Sequence, residues 1–275
     1  MPTAPFPLPH GQSMPALGLG TYQLTGTACE HVVAQALELG YRHIDTAVMY
    51  GNHREVGRGI AASGIDRRQL FVTSKVWRER LRRAQVREDC ERTLDELGLD
   101  YLDLWLIHWP HDDVPLAETL GAMAELRLAG LVRNIGVSNF TAARLARARA
   151  ATSEPIACNQ VEYHVHLDQH ELAAACRACG TQLVAYSPLA KGEVATDPLL
   201  RDIAARRGMS ASQVALRWLI EKAIVPIPKT SSPERLVHNL AVLDQRLEPG
   251  DVNANDARRQ RRRLVEWDVA RFEEV

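Results

Sequence analysis

A closed (β/α)8 barrel, the TIM-barrel class, is the fold that three observations on this 275-residue chain predict. Short apolar runs of strand length alternate with longer stretches of helical periodicity, eight times over. Such alternation implies parallel strands joined by crossover helices, and eight units close a barrel of about 250 residues. An open doubly wound sheet would carry a glycine-rich phosphate turn after its first strand. Here Leu17-Gly18-Leu19-Gly20-Thr21-Tyr22-Gln23 lacks the third glycine and runs into a loop.

The elements follow in order. Residues 16–20 read as the first strand, and 29–39 as a helix stopped by Gly40. Residues 42–45 form strand two, 55–62 a helix, 70–75 strand three, and 84–97 a helix closed by Gly98. Residues 102–108 are almost continuously apolar, as suits a strand covered on both faces. The second half repeats the pattern: helix 116–128, strand 133–137, helix 142–151, strand 157–161, helix 169–179 and strand 182–185. Two helices, 199–207 and 211–221, precede strand eight at 223–226. The last core helix, 233–243, has Pro233 in its first turn.

Composition narrows the function classes. The chain is 46% hydrophobic and 24% charged, the profile of a globular protein with a sizeable core, and its net charge is −1. No whole-chain field draws it to nucleic acid or an anionic membrane. The opening residues have neither a basic nor an apolar leader region, and the apolar run near 101–109 is too short to span a bilayer. A cytoplasmic monomer with a small-molecule partner is the expectation, one domain over residues 1–275 with an atypical tail from about 251. Five cysteines, Cys29, Cys90, Cys158, Cys176 and Cys179, read as reduced thiols, since Cys176-Arg177-Ala178-Cys179 lies inside a helical pattern. His164, His166 and His170 straddle a strand exit and a helix start, so no metal is expected. The run 256–263 has six charges in eight residues and no apolar stripe. It reads as a solvated helix face or a mobile segment rather than a nucleic-acid patch.

In a barrel, function sits on the rim where the strands end. Those positions are polar at successive exits: Asp45 and Tyr50, Lys75, His108, Ser138 and Asn139, Gln160, Tyr186 and Ser187, Lys229 and Thr230. A phenol ordinarily titrates near pH 10 and is a poor acid at neutral pH. An ammonium beside it favours the phenolate, so Lys75 is expected to lower the Tyr50 pKa, with Asp45 holding the lysine in place. His108 can hydrogen-bond a substrate oxygen. Such a group suits protonation of a carbonyl oxygen while a cofactor hydride attacks its carbon.

The motif Gly40-Tyr41-Arg42-His43-Ile44-Asp45-Thr46-Ala47-Val48-Met49-Tyr50-Gly51-Asn52 resembles the first signature of the aldo-keto reductase family. Val72-Thr73-Ser74-Lys75-Val76-Trp77, Leu106-Ile107-His108-Trp109-Pro110 and Ile135-Gly136-Val137-Ser138-Asn139-Phe140 resemble later ones. So do Cys158-Asn159-Gln160-Val161-Glu162-Tyr163, Ala185-Tyr186-Ser187-Pro188-Leu189 and Ile227-Pro228-Lys229-Thr230, in the family's order. The short loops look most like bacterial 2,5-diketo-D-gluconate reductases. The resemblance implies NADPH-dependent reduction of aldehydes and ketones, with Asp45, Tyr50, Lys75 and His108 as a catalytic tetrad and Tyr50 as general acid. It further implies that Ser138, Asn139 and Gln160 hold the nicotinamide carboxamide and that Tyr186 stacks on the ring. Ser187, Leu189 and Lys191 fall at the pyrophosphate, and Thr21 and Tyr22 lie beside the cofactor.

Lys229, Thr230 and Arg235 supply the cations and hydroxyl that a 2′-phosphate needs, which favours NADP(H) over NAD(H). Asn239 falls near the adenine, where His238 replaces the family's usual Glu. His53 and Arg54 replace acidic residues after Tyr50. Tyr22, Val48, Trp77 and Trp109 are expected to wall an apolar substrate pocket. The same barrel also serves as a cofactor-sensing binding module in potassium-channel β subunits, and the same residues would support NADP+-dependent alcohol oxidation.

Overall fold

The barrel forms because the apolar strand runs find cover on both faces. The computed structural model describes residues 3–265. A short antiparallel hairpin, β1 (Phe6–Pro7) with β2 (Ser13–Met14), precedes it. The barrel strands are β3 (Leu19–Gly20), β4 (His43–Asp45), β5 (Phe71–Val76), β6 (Leu102–Ile107), β7 (Val132–Ser138), β8 (Ile156–Glu162), β9 (Gln182–Tyr186) and β10 (Val225–Pro226). They pair in sequence order, all parallel, and the sheet closes on itself. At the seam Gly18 N donates to Pro226 O at 3.0 Å and Gly20 N to Pro228 O at 3.1 Å. A Cβ on Gly20 would lie 2.9 Å from the Ile227 carbonyl oxygen, so this approach requires glycine.

Around the sheet run α1 (Gly26–Leu39), α2 (His53–Ser63), α3 (Arg83–Leu97), α4 (Leu116–Leu128), α5 (Ala142–Ala150), α6 (His170–Ala178), α7 (Pro198–Arg207), α8 (Ala211–Glu221) and α9 (Pro233–Leu240). Their starts and stops follow local chemistry. Ser210 and Gln213 form a capping box at α8, Asp197 caps α7, and Gly40, Gly64, Gly98 and Gly208 end their helices in the left-handed region. The barrel is filled by Phe71, Leu104, Leu106, Cys158, Val184 and Val225, with Leu8 and Met14 of the hairpin region packed into the same cluster. A second, larger core lies between the strands and the helices.

The differences from the sequence reading sit at the edges. Strands one and eight shrink to two residues each, because their neighbouring residues bond across the seam instead of in a regular ladder. The hairpin is too short to leave a periodic signal. The last core helix ends at Leu240 and continues as a 3-10 turn, Ala241–Leu243. A further helix, α10 (Pro249–Asp256), precedes the basic run. That run is neither a solvated helix face nor a loose segment. Leu167 pairs with Arg261, Asp168 N donates to Gln260 O at 2.6 Å, and Arg262 N donates to His166 O at 2.8 Å.

No disulfide forms among the described residues, and burial pushes the Cys29, Cys90 and Cys176 thiols up to about 12. No helix among them is long and apolar enough to cross a membrane, and no cluster there could hold a metal ion.

Two buried histidines give the fold an acid limit. Burial, then the Lys75 charge, lowers His43 to about 3; burial lowers His53 to about 4 against the opposing pull of Glu96. Their unfolded counterparts titrate near 6.5, so between these values the unfolded chain binds more protons than the folded one. Stability is therefore fully present above about pH 6.5. It falls below that by up to about 1.4 kcal/mol per pH unit for each histidine. Urea midpoints from pH 7.5 to 4.5 should show this loss, and His53→Gln should make it shallower. An equally steep loss in the variant would contradict the assignment to His53.

Candidate active site

The rim gathers side chains from four strand exits. Asp45 ends β4 and Lys75 lies near the end of β5, both fully buried. Their contact, Lys75 Nζ to Asp45 Oδ1, is 2.6 Å. Lys75 also donates to the Thr46 carbonyl at 2.8 Å and to Tyr50 Oη at 3.3 Å. The other Asp45 oxygen accepts from Gln160 Nε2 at 2.7 Å, which ties β8 into the pair. Tyr50 follows β4 on a single 3-10 turn, Val48–Tyr50, which swings its ring back over the lysine. His108 follows β6 and meets the Tyr50 ring edge-on, with centroids 5.6 Å apart.

The electrostatics correct one expectation. Burial pushes the Tyr50 pKa well above its ordinary value, and the nearby Asp45 charge adds to the rise; the expected lowering by Lys75 does not appear. Burial also raises Asp45 and lowers Lys75, so each charge depends on the other to persist. The ammonium and the carboxylate present a nearly neutral pair to the phenol, so burial by the surrounding protein sets the direction. Burial, with the Lys75 charge, holds His108 well below its usual range, so it is a neutral imidazole at pH 7. Its Nδ1 is buried without a hydrogen-bond partner among the described residues.

A cleft of about 980 Å³ runs from this group across the rim. Asp45, Tyr50, His108, Asn139, Gln160 and Tyr186 line its inner end. Ser187, Leu189 and Lys191 line its middle, and Lys229, Thr230, Arg235 and Asn239 its outer end. Tyr22 and Trp109 line it too. Five expected residues are not among its lining: Thr21, Ser138, Val48, Trp77 and Lys75. Thr21 is buried and donates to the Asp45 carbonyl, and Ser138 is buried and donates to the Gln160 carbonyl. Val48 packs against the larger core, and Trp77, partly buried, meets the His108 ring edge-on. Lys75 is likewise hidden beneath Tyr50.

Asn139 is held more firmly than its sequence position suggests. Its φ is +64°, a conformation that costs a non-glycine residue free energy and is often found at functional rims. Its Nδ2 donates to the His108 carbonyl and to Ser138 Oγ, and its Oδ1 accepts from Tyr186 Oη at 2.8 Å. One amide therefore joins the exits of β6, β7 and β9. Lys229 and Arg235, in contrast, are exposed and have no ion-pair partner among the described residues. One cation just ahead of α9, Lys229, and one in its first turn, Arg235, suit a compact dianion.

Sequence reasoning missed several lining residues. Met49 and Gln23, which sit beside motif residues, line the cleft as well. Ser210 and Ser212, at the start of α8, line the outer end beside His238, whose place near Asn239 the sequence does indicate. The capping pattern at Ser210 was a usable signal for that helix start. Leu264 and Val265 come from the tail, where no periodic pattern announces a docked segment.

Comparison with known proteins agrees with this geometry. The model of the aldo/keto reductase family matches residues 16–259. The glyoxal reductase of Bacillus subtilis (strain 168) is 40% identical over 252 residues, covering 91% of each chain. A crystal structure provisionally named 2,5-diketo-D-gluconic acid reductase B superposes with a TM-score of 0.93 at 40% identity. It covers 98% of this chain and 96% of that one. The Bombyx mori aldo-keto reductase in complex with NADP superposes with a TM-score of 0.90 at 33% identity, over 97% and 96% of the two chains. The barrel, its ordered rim motifs and these matches establish that this chain belongs to the aldo/keto reductase family, a family of oxidoreductases.

Proposed function

We propose that this protein reduces small aldehydes, ketoaldehydes or keto acids to alcohols with NADPH, and that Tyr50 is the general acid. The observation that carries the reading is the Tyr50 hydroxyl, 3.3 Å from a buried ammonium and beside a neutral imidazole, at the inner end of a cleft whose outer end has two unpaired cations. The residues fit the cofactor. Lys229, Thr230 and Arg235 would hold the 2′-phosphate, and Asn239 would lie near the adenine. Ser187, Leu189 and Lys191 would face the pyrophosphate, and Asn139 and Gln160 the carboxamide, beside the Tyr186 ring. Ser138 acts by positioning the Gln160 strand end. When bound, NADPH supplies a hydride to the carbonyl carbon.

The chain's own residues handle the oxygen. His108 orients the carbonyl by a hydrogen bond, and Tyr50 gives its proton to the oxygen as negative charge develops there. Lys75 then stabilises the phenolate left behind, and Asp45 and Gln160 keep Lys75 in place. A raised Tyr50 pKa does not prevent this, because an alkoxide is a stronger base than a phenolate. Tyr22, Met49 and Trp109 present an apolar wall beside the reacting group. The relative named glyoxal reductase supports a small dicarbonyl as substrate.

Lys229→Met tests the cofactor assignment. A charged hydrogen-bonding partner contributes about 1.5–3 kcal/mol, so NADPH should bind roughly 10–100-fold more weakly and NADH hardly differently. Fluorescence titration with both nucleotides measures this, and equal weakening of the two would sink the phosphate role.

A further inference from the structure

Glu162, the last residue of β8, is fully buried and has no part in the mechanism above. Burial alone would raise its pKa, but hydrogen bonds from His164 and from the backbone of the tail outweigh it and hold the carboxyl below its ordinary value. Its Oε1 accepts from Leu264 N at 2.7 Å and from His164 Nε2 at 3.0 Å, and its Oε2 accepts from Val265 N at 3.2 Å. The other side of the Leu264 peptide is engaged too, because its carbonyl accepts from Lys191 Nζ at 2.7 Å. Residues before it are tied to the same loop. Arg258 pairs with Asp197 through two hydrogen bonds, at 2.6 and 3.1 Å, and Arg262 pairs with Glu193. The result is that Leu264 and Val265 form part of the cleft wall, beside Lys191 and Gly192.

We propose that Glu162 is a positioning residue that acts through the tail: by accepting the Leu264 and Val265 amides it folds residues 258–265 into the cleft wall, which encloses the bound cofactor. A buried carboxylate that receives two successive backbone N–H groups is a fixed anchor, since both its lone-pair directions and the peptide plane are set. The anchor spans the rim. One end lies at the exit of β8, next to the Gln160 strand segment, and the other at the loop after β9. Four of the five arginines between 258 and 263 meet partners on the barrel: Arg258 meets Asp197, Arg259 meets His170, Arg262 meets Glu193 and Arg263 meets Glu162.

Two full-length variants test this. Glu162→Gln replaces an acceptor with an amide that cannot accept at both oxygens, and Leu264→Pro deletes the N–H it receives. Limited trypsin digestion of the unliganded protein reads the first consequence, since cleavage after Arg258, Arg259, Arg261, Arg262 or Arg263 requires the tail to leave the rim. Both variants should be cut there roughly tenfold faster than wild type. Cleavage at the wild-type rate in both would overturn the proposal. The NADPH dissociation rate reads the second: each variant should raise it roughly tenfold, and the double variant should do no more than either single one. Additive effects would mean that Glu162 acts on the barrel itself and not through the tail. The second readout rests on the cofactor reading above. If wild type fails to bind NADPH, that reading fails, while the digestion still decides whether Glu162 anchors the tail.

Discussion

Replacing Tyr50 with Phe lowers kcat for carbonyl reduction by roughly 10²–10⁴-fold, the usual contribution of a positioned general acid, and leaves the NADPH dissociation constant nearly unchanged. The ring stays, so its contacts with Tyr22 and His108 persist, and only the Oη facing Lys75 is lost. Because burial raises the Tyr50 pKa, the phenol remains protonated through the alkaline range. Burial also keeps His108 neutral down to acid pH. The kcat/KM of reduction should accordingly be flat from about pH 6 to 9, with no ionisation of Tyr50 falling inside that window. Wild-type turnover in Tyr50→Phe would refute the role, and a sharp fall in wild-type activity near pH 8 would contradict the electrostatics.

Replacing Lys75 with Met has an effect of similar size on the fold. Breaking a buried pair by removing one partner costs about 3–5 kcal/mol, because the remaining charge is left uncompensated. Asp45 would keep its Gln160 hydrogen bond but lose its ammonium, in a site with almost no exposure to water. The melting temperature should drop on the order of 10 °C. Adding Asp45→Asn to Lys75→Met should recover much of that loss, since the orphaned charge is gone, while activity stays low. Calorimetry and NADPH consumption on the same samples separate the two outcomes. A single variant as stable as wild type would show that the pair carries no such weight.

The barrel and its inner site were legible for a physical reason. Strands covered on both faces must be apolar, so a carboxylate, an ammonium and an imidazole at consecutive exits stand out from sequence alone. In the structure Lys75 Nζ lies 2.6 Å from Asp45 Oδ1 and 3.3 Å from Tyr50 Oη. Less legible was whatever depends on direction or on distant partners. Side-chain type did not reveal that Trp77 meets the His108 ring edge-on or that Ser138 faces the Gln160 carbonyl. Charge proximity suggested a lowered Tyr50 pKa, because burial, which decides the sign, is not visible in a motif. The docking of the tail is hidden from the sequence for a related reason. Its arginines look solvated as a run, yet Asp197, Glu193 and Glu162, which meet them, lie 61 to 101 residues away in sequence. The hairpin β1–β2 left no signal, since two-residue strands have no periodicity.

The most direct measurement follows NADPH absorbance at neutral pH as wild-type protein meets a panel of small aldehydes and ketones, glyoxal and methylglyoxal among them. The predicted result is stoichiometric NADPH oxidation with at least one dicarbonyl, matched by the appearance of the alcohol. Tight NADPH binding without oxidation by any member of the panel would contradict the claim that the Tyr50 site reduces carbonyls.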